Sequence, residues 1–411
     1  MEIFREIADA IEDRWRDRHH DEAALPAIAA EALLDRLPRS GLTPQDVIEW
    51  VWNARELPVQ DDLPAEFGQP PITVYRGSRF FIAVLFWLDA TTSIHQHAFS
   101  GAFYVLAGSS IHSRYRFDPE RRLNARLFTG SVTLESVELL KQGDARPIHS
   151  GAGFAHALFH LDHPSVSVVL RTYRDPGSDP QFQYYRPCLA LDPFYKHPHT
   201  TRIVQLLTML RKSSSPDYKA LLERVVSGPD FHEALTVLLA VFGDEATNWR
   251  SFRELFAVCR ARHGELADLL EAAFLEQRRE VRIIRLRRTI SDPMHRFFLA
   301  LLINVPTRVE ILALTQRMCP DSDPVETIVR WTAELTGVNA GGPSGQSLLG
   351  VKLDEVSLDV LRLLLKGCSD AEAIERLGEQ YDEADIREQR ADLLELCRAL
   401  RGSDFFKPLF V

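Results

Sequence analysis

Apolar positions recur at two different periods along this 411-residue chain, and the period changes twice. Near the start, Ile3, Ile7, Ala10, Ile11 and Trp15 follow helical spacing. Residues 16–22 are a polar break, and residues 25–37 predict a second amphipathic helix. Thr43 followed by Pro44 reads as an N-cap and first turn, opening a helix that carries Val47, Ile48, Val51 and Trp52. A connector rich in proline and acidic residues follows over 58–71.

From there the period shortens. Short apolar or alternating runs at 72–75, 80–88, 103–106, 111–117, 127–129, 131–140, 156–160 and 166–173 predict strands, punctuated by Gly, Pro, Asp and Asn. The run Phe80-Phe81-Ile82-Ala83-Val84-Leu85-Phe86-Trp87 has no polar member, so it predicts a strand buried on both faces. Seven or eight antiparallel strands at this spacing fit a jelly roll. The pattern is expected to end at the Asp175–Pro180 turn cluster.

Beyond residue 200 helical spacing returns, with helices expected over 203–210, 231–242, 252–263, 266–284, 297–305, 309–317 and 324–336. Arg278, Arg279, Arg282, Arg285, Arg287 and Arg288 form a basic cluster that reads as a solvated face paired to acidic neighbours. Residues 337–347 (GVNAGGPSGQS) predict a flexible linker. The tail is expected to hold short helices, one capped by Ser369 and Glu372, and to end in a strand-like 405–410 segment. It reads as a small dimerisation or capping bundle, with a winged-helix-like module as the alternative. The expected organisation is therefore an α+β chain: a helical region at 1–70, a β-barrel at 71–195, a helical domain at 196–340 and a small helical module at 341–411.

Composition narrows the function. A net charge of −10 argues against nucleic acid as a partner, because phosphate binding needs basic surface. Five scattered cysteines without a CxxC pair read as reduced thiols, which points to a cytoplasmic protein. No run of about 18 apolar residues predicts a membrane span, and no leader peptide is expected from Met1-Glu2-Ile3-Phe4-Arg5. Neither a phosphate-binding glycine loop nor a G-x-S-x-G elbow is present.

Candidate chemistry centres on His95-Gln96-His97. On a strand, residues i and i+2 share a face, so two imidazoles stand side by side. His156 is the candidate third ligand. Two strand histidines by chance, in a metal-free barrel, are the alternative. His160, an even number of residues beyond His156, also faces inward if the strand is regular, as a histidine supporting the ligands or as a fourth ligand. His149 and His163 read as structural, and His112 as a surface or packing residue. Arg171 and Tyr173 share a face, and a buried arginine there needs an anion.

His95-x-His97-x3-Gly101-x6-Gly108 resembles the first cupin motif, with Gly101 where a carboxylate ligand often stands. Gly143-x5-His149-x-Gly151 followed by His156 looks like the second. The absence of the carboxylate and the strand Ser167-Val168-Val169-Leu170-Arg171-Thr172-Tyr173 are similar to the thiol dioxygenases, the cysteine dioxygenase family, over roughly residues 70–190. That resemblance implies a cupin barrel, a site of His95, His97 and His156, and Fe(II) as the metal, with Ni, Mn, Cu or Zn as alternatives. It further implies Tyr173 as a phenol orienting oxygen and Arg76 or Arg171 as a clamp on a substrate carboxylate; the alternatives are a barrel tyrosine whose hydroxyl finds a nearby carbonyl and, for Arg76, a surface ion pair. Arg171 stands where the family has the histidine of a Ser-His-Tyr relay, and His160 where Asn is common. The expected activity is transfer of oxygen from O2 to a small, peptide-linked or carrier-linked thiol. The alternatives are oxidation at carbon, or a non-catalytic scaffold whose helical half carries protein partners or self-association.

Overall fold

The computed structural model describes residues 1–60, 68–88, 92–245, 249–337, 349, 351 and 353–411. Much of the expected connector and linker, residues 61–67 and 338–347, lies outside them.

Three helices open the chain, α1 (Glu2–Arg16), α2 (Leu25–Ser40) and α3 (Pro44–Asn53). Thr43 caps α3 in a reciprocal box with Asp46. Eleven strands are described next: β1 (Pro71–Arg76), β2 (Phe80–Trp87), β3 (Ile94–His95), β4 (Gly101–Ala107), β5 (Ser109–Asn124), β6 (Leu127–Lys141), β7 (Ala145–Ile148), β8 (Ala155–His160), β9 (Ser165–Thr172), β10 (Gln183–Tyr185) and β11 (Leu189–Leu191). The paired strands β1–β2–β9–β4–β7 make a five-stranded antiparallel sheet. The order β10–β11–β6–β5–β8–β3 closes through pairing of β10 with β3. The architecture is an antiparallel jelly roll with a helical N-terminal region and a helical C-terminal half.

The fully apolar strand behaves as its composition requires: every residue of β2 is buried. Phe80, Ile82, Val84 and Phe86 pack with Phe4, Ile7, Ile11 and Leu33 of α1 and α2. Phe81, Ala83, Leu85 and Trp87 face the other way and form a cluster with Val169. Each such side chain removed from water contributes roughly 1.5–3 kcal/mol. The N-terminal helices are thus an outer layer of the barrel's own core. The opposite sheet is covered by the C-terminal half. Ile111, Phe159 and Leu161 join one core with Phe297, Leu301, Leu361 and Phe406. Tyr185, Leu189 and Leu191 join another with Phe252, Phe256 and Phe274.

Several expectations change. The runs 127–129 and 131–140 are one strand, because Gly130 lies against the β5 backbone where a Cβ would sit 2.2 Å from Asp118 O, so the glycine lets pairing continue. Strands β10 and β11 follow the Pro180 cluster and supply the pairing that closes the barrel. The end of the chain forms a tight 3-10 turn over Lys407–Phe410, with Phe406 and Leu409 buried, rather than a strand. The arginine cluster is only partly solvated. Arg278 and Arg282 do pair with Asp404. Arg287, however, is fully buried over the Phe159 ring and bonds to the His160 carbonyl. Residues on both sides of the expected boundary near 341 share a single core.

Candidate metal centre

Pairing register assembles the histidines. His95 on β3 lies directly opposite His156 on β8, and His97 bridges to Ser150 two residues on. Gln96 turns the other way, bonding to Pro180 O and accepting from the Tyr184 hydroxyl. His95, His97 and His156 therefore converge, all buried, each offering a ring nitrogen within 4.8 Å of the other two. Phe99 and Phe154 pack against His97 and His156 at centroid separations of 4.4 and 4.8 Å, and Phe103 stands 6.4 Å from His156.

The protons can be placed from the partners. Burial lowers the pKa of all three rings, reinforced at His156 by the neighbouring histidines, so they are neutral lone-pair donors. His95 Nδ1 lies 2.8 Å from Ser93 O and must carry its proton, which leaves the Nε2 lone pair. His156 Nδ1 lies 3.0 Å from Nε2 of His112, whose own Nδ1 lies 2.9 Å from Glu138 Oε1. An ionised carboxylate only accepts, so His112 Nδ1 is protonated. His112 is held neutral by burial, against the pull of Glu138, so its Nε2 accepts. His156 Nδ1 is then the donor, and its Nε2 presents a lone pair.

That nitrogen stands 2.9 Å from His97 Nε2. Two imidazole nitrogens bound at about 2.1 Å and at right angles on one ion are about 3.0 Å apart. The donor set fits a borderline divalent ion that favours imidazole. The backbone of the paired strand excludes a carboxylate from position 101: a Cβ on Gly101 would lie 1.9 Å from Leu170 O.

The remaining expected residues separate into two groups. Arg171 is half-buried on the inward face of β9, its guanidinium 4.1 Å from the Phe99 ring centre and 4.7 Å from that of Phe81, and its charge helps depress the His97 pKa. It belongs to the site's surroundings. Tyr173 lies just past the end of β9, 36% exposed, with its hydroxyl donating to Gly77 O at 2.7 Å. Arg76 is exposed and sits over the Tyr173 ring. Tyr173 follows the inward alternation, but leaving the strand turns its phenol to a loop carbonyl instead of the histidines. His160 is inward and buried, as expected, yet it bonds to Ser165 Oγ at 2.7 Å and stacks on Trp87 at 4.6 Å, and is not among the clustered ligand atoms.

Of the two readings of His112, surface or packing, the structure takes packing, and adds a link to the cluster. His112 is 1% exposed rather than at the surface. Its link to His156 is a diagonal cross-strand contact, and its partner Glu138 sits opposite it on β6. An odd–even match between the facing runs at 111–117 and 131–140 is the one sequence signal that could have placed the pair, and it needs the register.

No protein-family model matches the chain, and no curated protein sequence does. Among solved structures, a DMSP lyase from Ruegeria pomeroyi is 17% identical over 32% of this chain and 58% of its own, with a TM-score of 0.21. A hydroquinone 1,2-dioxygenase from a Sphingomonas species is 10% identical over 26% and 68%, at 0.20. A cupin-2 domain protein from Shewanella frigidimarina is 12% identical over 26% and 83%, at 0.17. The chain thus spans under two thirds of the lyase it resembles. Similarity at this level leaves the functional reading to the chain's own geometry. No described helix is long and apolar enough to cross a membrane. The five cysteines are free thiols; Cys188 is buried, bonds to Leu269 O, and burial pushes its pKa up to about 11, which suits a packing role.

Proposed function

We propose that this chain is a metallo-cupin oxygenase that holds Fe(II) on His95, His97 and His156 and transfers oxygen from O2 to the sulfur of a small, peptide-linked or carrier-linked thiol. The observation that carries the reading is the convergence of three buried, neutral imidazoles where Gly101 leaves no room for a carboxylate. Bound iron would supply a Lewis-acidic redox centre with coordination positions for both O2 and substrate.

The chain's own residues supply the rest. Three neutral ligands leave the full charge of a divalent ion uncompensated among its ligands, which favours an anionic substrate atom such as a thiolate. We assign a second anionic group of the substrate to Arg171 rather than Arg76; its inward position, packed between Phe81 and Phe99, supports that reading. Phe99, Phe103 and Phe154 keep water from the ligand nitrogens.

The test is oxygen uptake by the iron-loaded protein with a panel of thiol acids, thiol peptides and non-thiol controls, with product masses recorded. Thiol-dependent uptake and oxygen on sulfur are expected. Arg171→Leu should raise KM for carboxylated thiols by about tenfold or more, with less change in kcat. Oxygen on carbon would move the reaction class, and no uptake by folded, iron-loaded protein with any thiol would end the oxygenase reading.

A further inference from the structure

Position 101 cannot host a carboxylate, yet a carboxylate is wired to the histidine cluster by another route. Glu138 Oε1 accepts from His112 Nδ1 at 2.9 Å, and His112 Nε2 accepts from His156 Nδ1 at 3.0 Å. Arg146 fixes the far end, donating from Nε to Oε1 at 2.9 Å and from Nη2 to Oε2 at 2.6 Å. A fork of this kind sets the carboxylate plane as well as its position. His112 is fully enclosed, while Glu138 is about a third exposed. The row therefore runs from the buried cluster to the protein surface along adjacent strands.

We propose that His112 and Glu138 are positioning residues for the metal centre: through His112, Glu138 fixes the tautomer of His156 and strengthens it as a donor, standing in for the carboxylate that Gly101 excludes. The inference rests on the metal-site reading above and deepens it. The physical reason is the one-way order of donors. Ionised Glu138 accepts from His112, His112 thereby accepts from His156, and the His156 Nε2 lone pair has no alternative orientation. Partial negative charge passed along the row makes that nitrogen more basic, as outer carboxylates do for ligand imidazoles. With three neutral ligands and a divalent ion, this is the nearest ionised acceptor joined to a ligand by described hydrogen bonds. Its own charge is tempered by Arg146, so it tunes the ligand without adding a full negative charge to the site.

The experiment uses the full chain and Co(II) as the probe, with dissociation constants from competition with a chromophoric chelator and the visible spectrum of the bound ion. Glu138→Gln keeps the shape and removes the charge; His112→Phe removes the link. Glu138→Asp is the conservative control. Unfolding midpoints are measured on each metal-free protein. Co(II) binding should weaken about 10- to 100-fold in His112→Phe and about 10-fold in Glu138→Gln, with a shifted visible spectrum in both and partial recovery in Glu138→Asp. If His112→Phe does not fold, the partly exposed Glu138→Gln carries the test. Folded variants with unchanged affinity and spectrum would overturn the positioning role while leaving the site intact. A wild-type chain that binds no Co(II) would overturn the site itself, and the role with it.

Discussion

His156 and His160 stand four residues apart on one strand, face the same interior and are both buried. One gathers other imidazoles and the other does not. His156 meets His95 across the ladder and His97 at hydrogen-bond distance. His160 meets Ser110 across the ladder and Ser165 through Nδ1, and lies flat on the Trp87 indole, whose Nε1 donates to Ser167 Oγ. Its carbonyl is held by Arg287. Strand, face and burial are common to both, so none of these makes a candidate ligand. The difference is the register partner: a hydroxyl-bearing residue at one end of β8, a second histidine at the other.

The strongest way to break this comparison is to remove ligands at one end only. The His95→Ala/His97→Ala double substitution should take bound iron from about one ion per chain to none, by elemental analysis of protein grown with iron. His160→Ala should keep the ion and lose thermal stability instead. Equal iron in all three proteins would mean that the two histidine environments do not differ in function.

Backbone fit comes next. Gly101→Ala should cost about 3 kcal/mol in denaturant unfolding, because the added carbon meets Leu170 O and neither strand can yield without losing its pairing. Little change would mean that the missing carboxylate ligand reflects choice of residue rather than lack of space.

Acid sharpens the comparison further. Both ends hold histidines whose folded pKa lies below the ordinary value near 6.5; for His160 burial, with Arg287 adding to it, brings it down to about 3. Below about pH 6.5 the unfolded chain takes up protons that the folded chain refuses, so stability falls as pH falls, by about 1.4 kcal/mol per pH unit for each such ring. The His160 share should continue down to about pH 3. Substituting His160 by Phe should make the stability–pH slope shallower by one proton while leaving metal loss on acidification unchanged. Glu138 adds acid sensitivity later: burial would raise its pKa, but bonds from His112 and Arg146 hold it at about 2, so its contribution is present above about pH 4 and lost as pH falls toward 2. The smallest effect is expected at Tyr173→Phe, which loses one exposed hydroxyl bond worth about 1 kcal/mol. Unchanged oxygen uptake in that variant would separate this chain from the tyrosine role that the thiol-dioxygenase resemblance implies.

The architecture and the common face of His95 and His97 were legible because both depend on local periodicity, and His156 because its place after Gly143-x5-His149-x-Gly151 resembles the second cupin motif. Helical spacing gave α1 to α3 within a few residues, an apolar octet gave β2, and an i, i+2 pair gave His95 and His97 a common face. What was not legible depends on long-range register. Whether His112 meets solvent or His156 is decided by how β5 slides along β8, and Glu138 joins it only because β6 returns at a matching offset. Tyr173 shows the complementary limit: alternation holds inside a strand and lapses one residue beyond it, so of its two readings the structure takes the hydroxyl bonded to a nearby carbonyl. The arginine cluster was legible in part: Arg278 and Arg282 pair with Asp404, whereas Arg287 is buried against the barrel, where a carbonyl 127 residues away accepts its bond.

That same contact bears on how the molecule can be divided. Arg287 and Arg296 reach from the helical half to the carbonyls of His160 and Leu161, at the end of the strand that carries the candidate ligand His156. A barrel excised near residue 195 would present Phe159, Ile111 and Leu161 to water and leave those carbonyls without their donors. The barrel that carries the histidines is therefore expected not to fold as a separate module. Recombination, truncation or fusion at that boundary should yield insoluble protein, whereas changes that keep barrel and helices together can vary the surface freely.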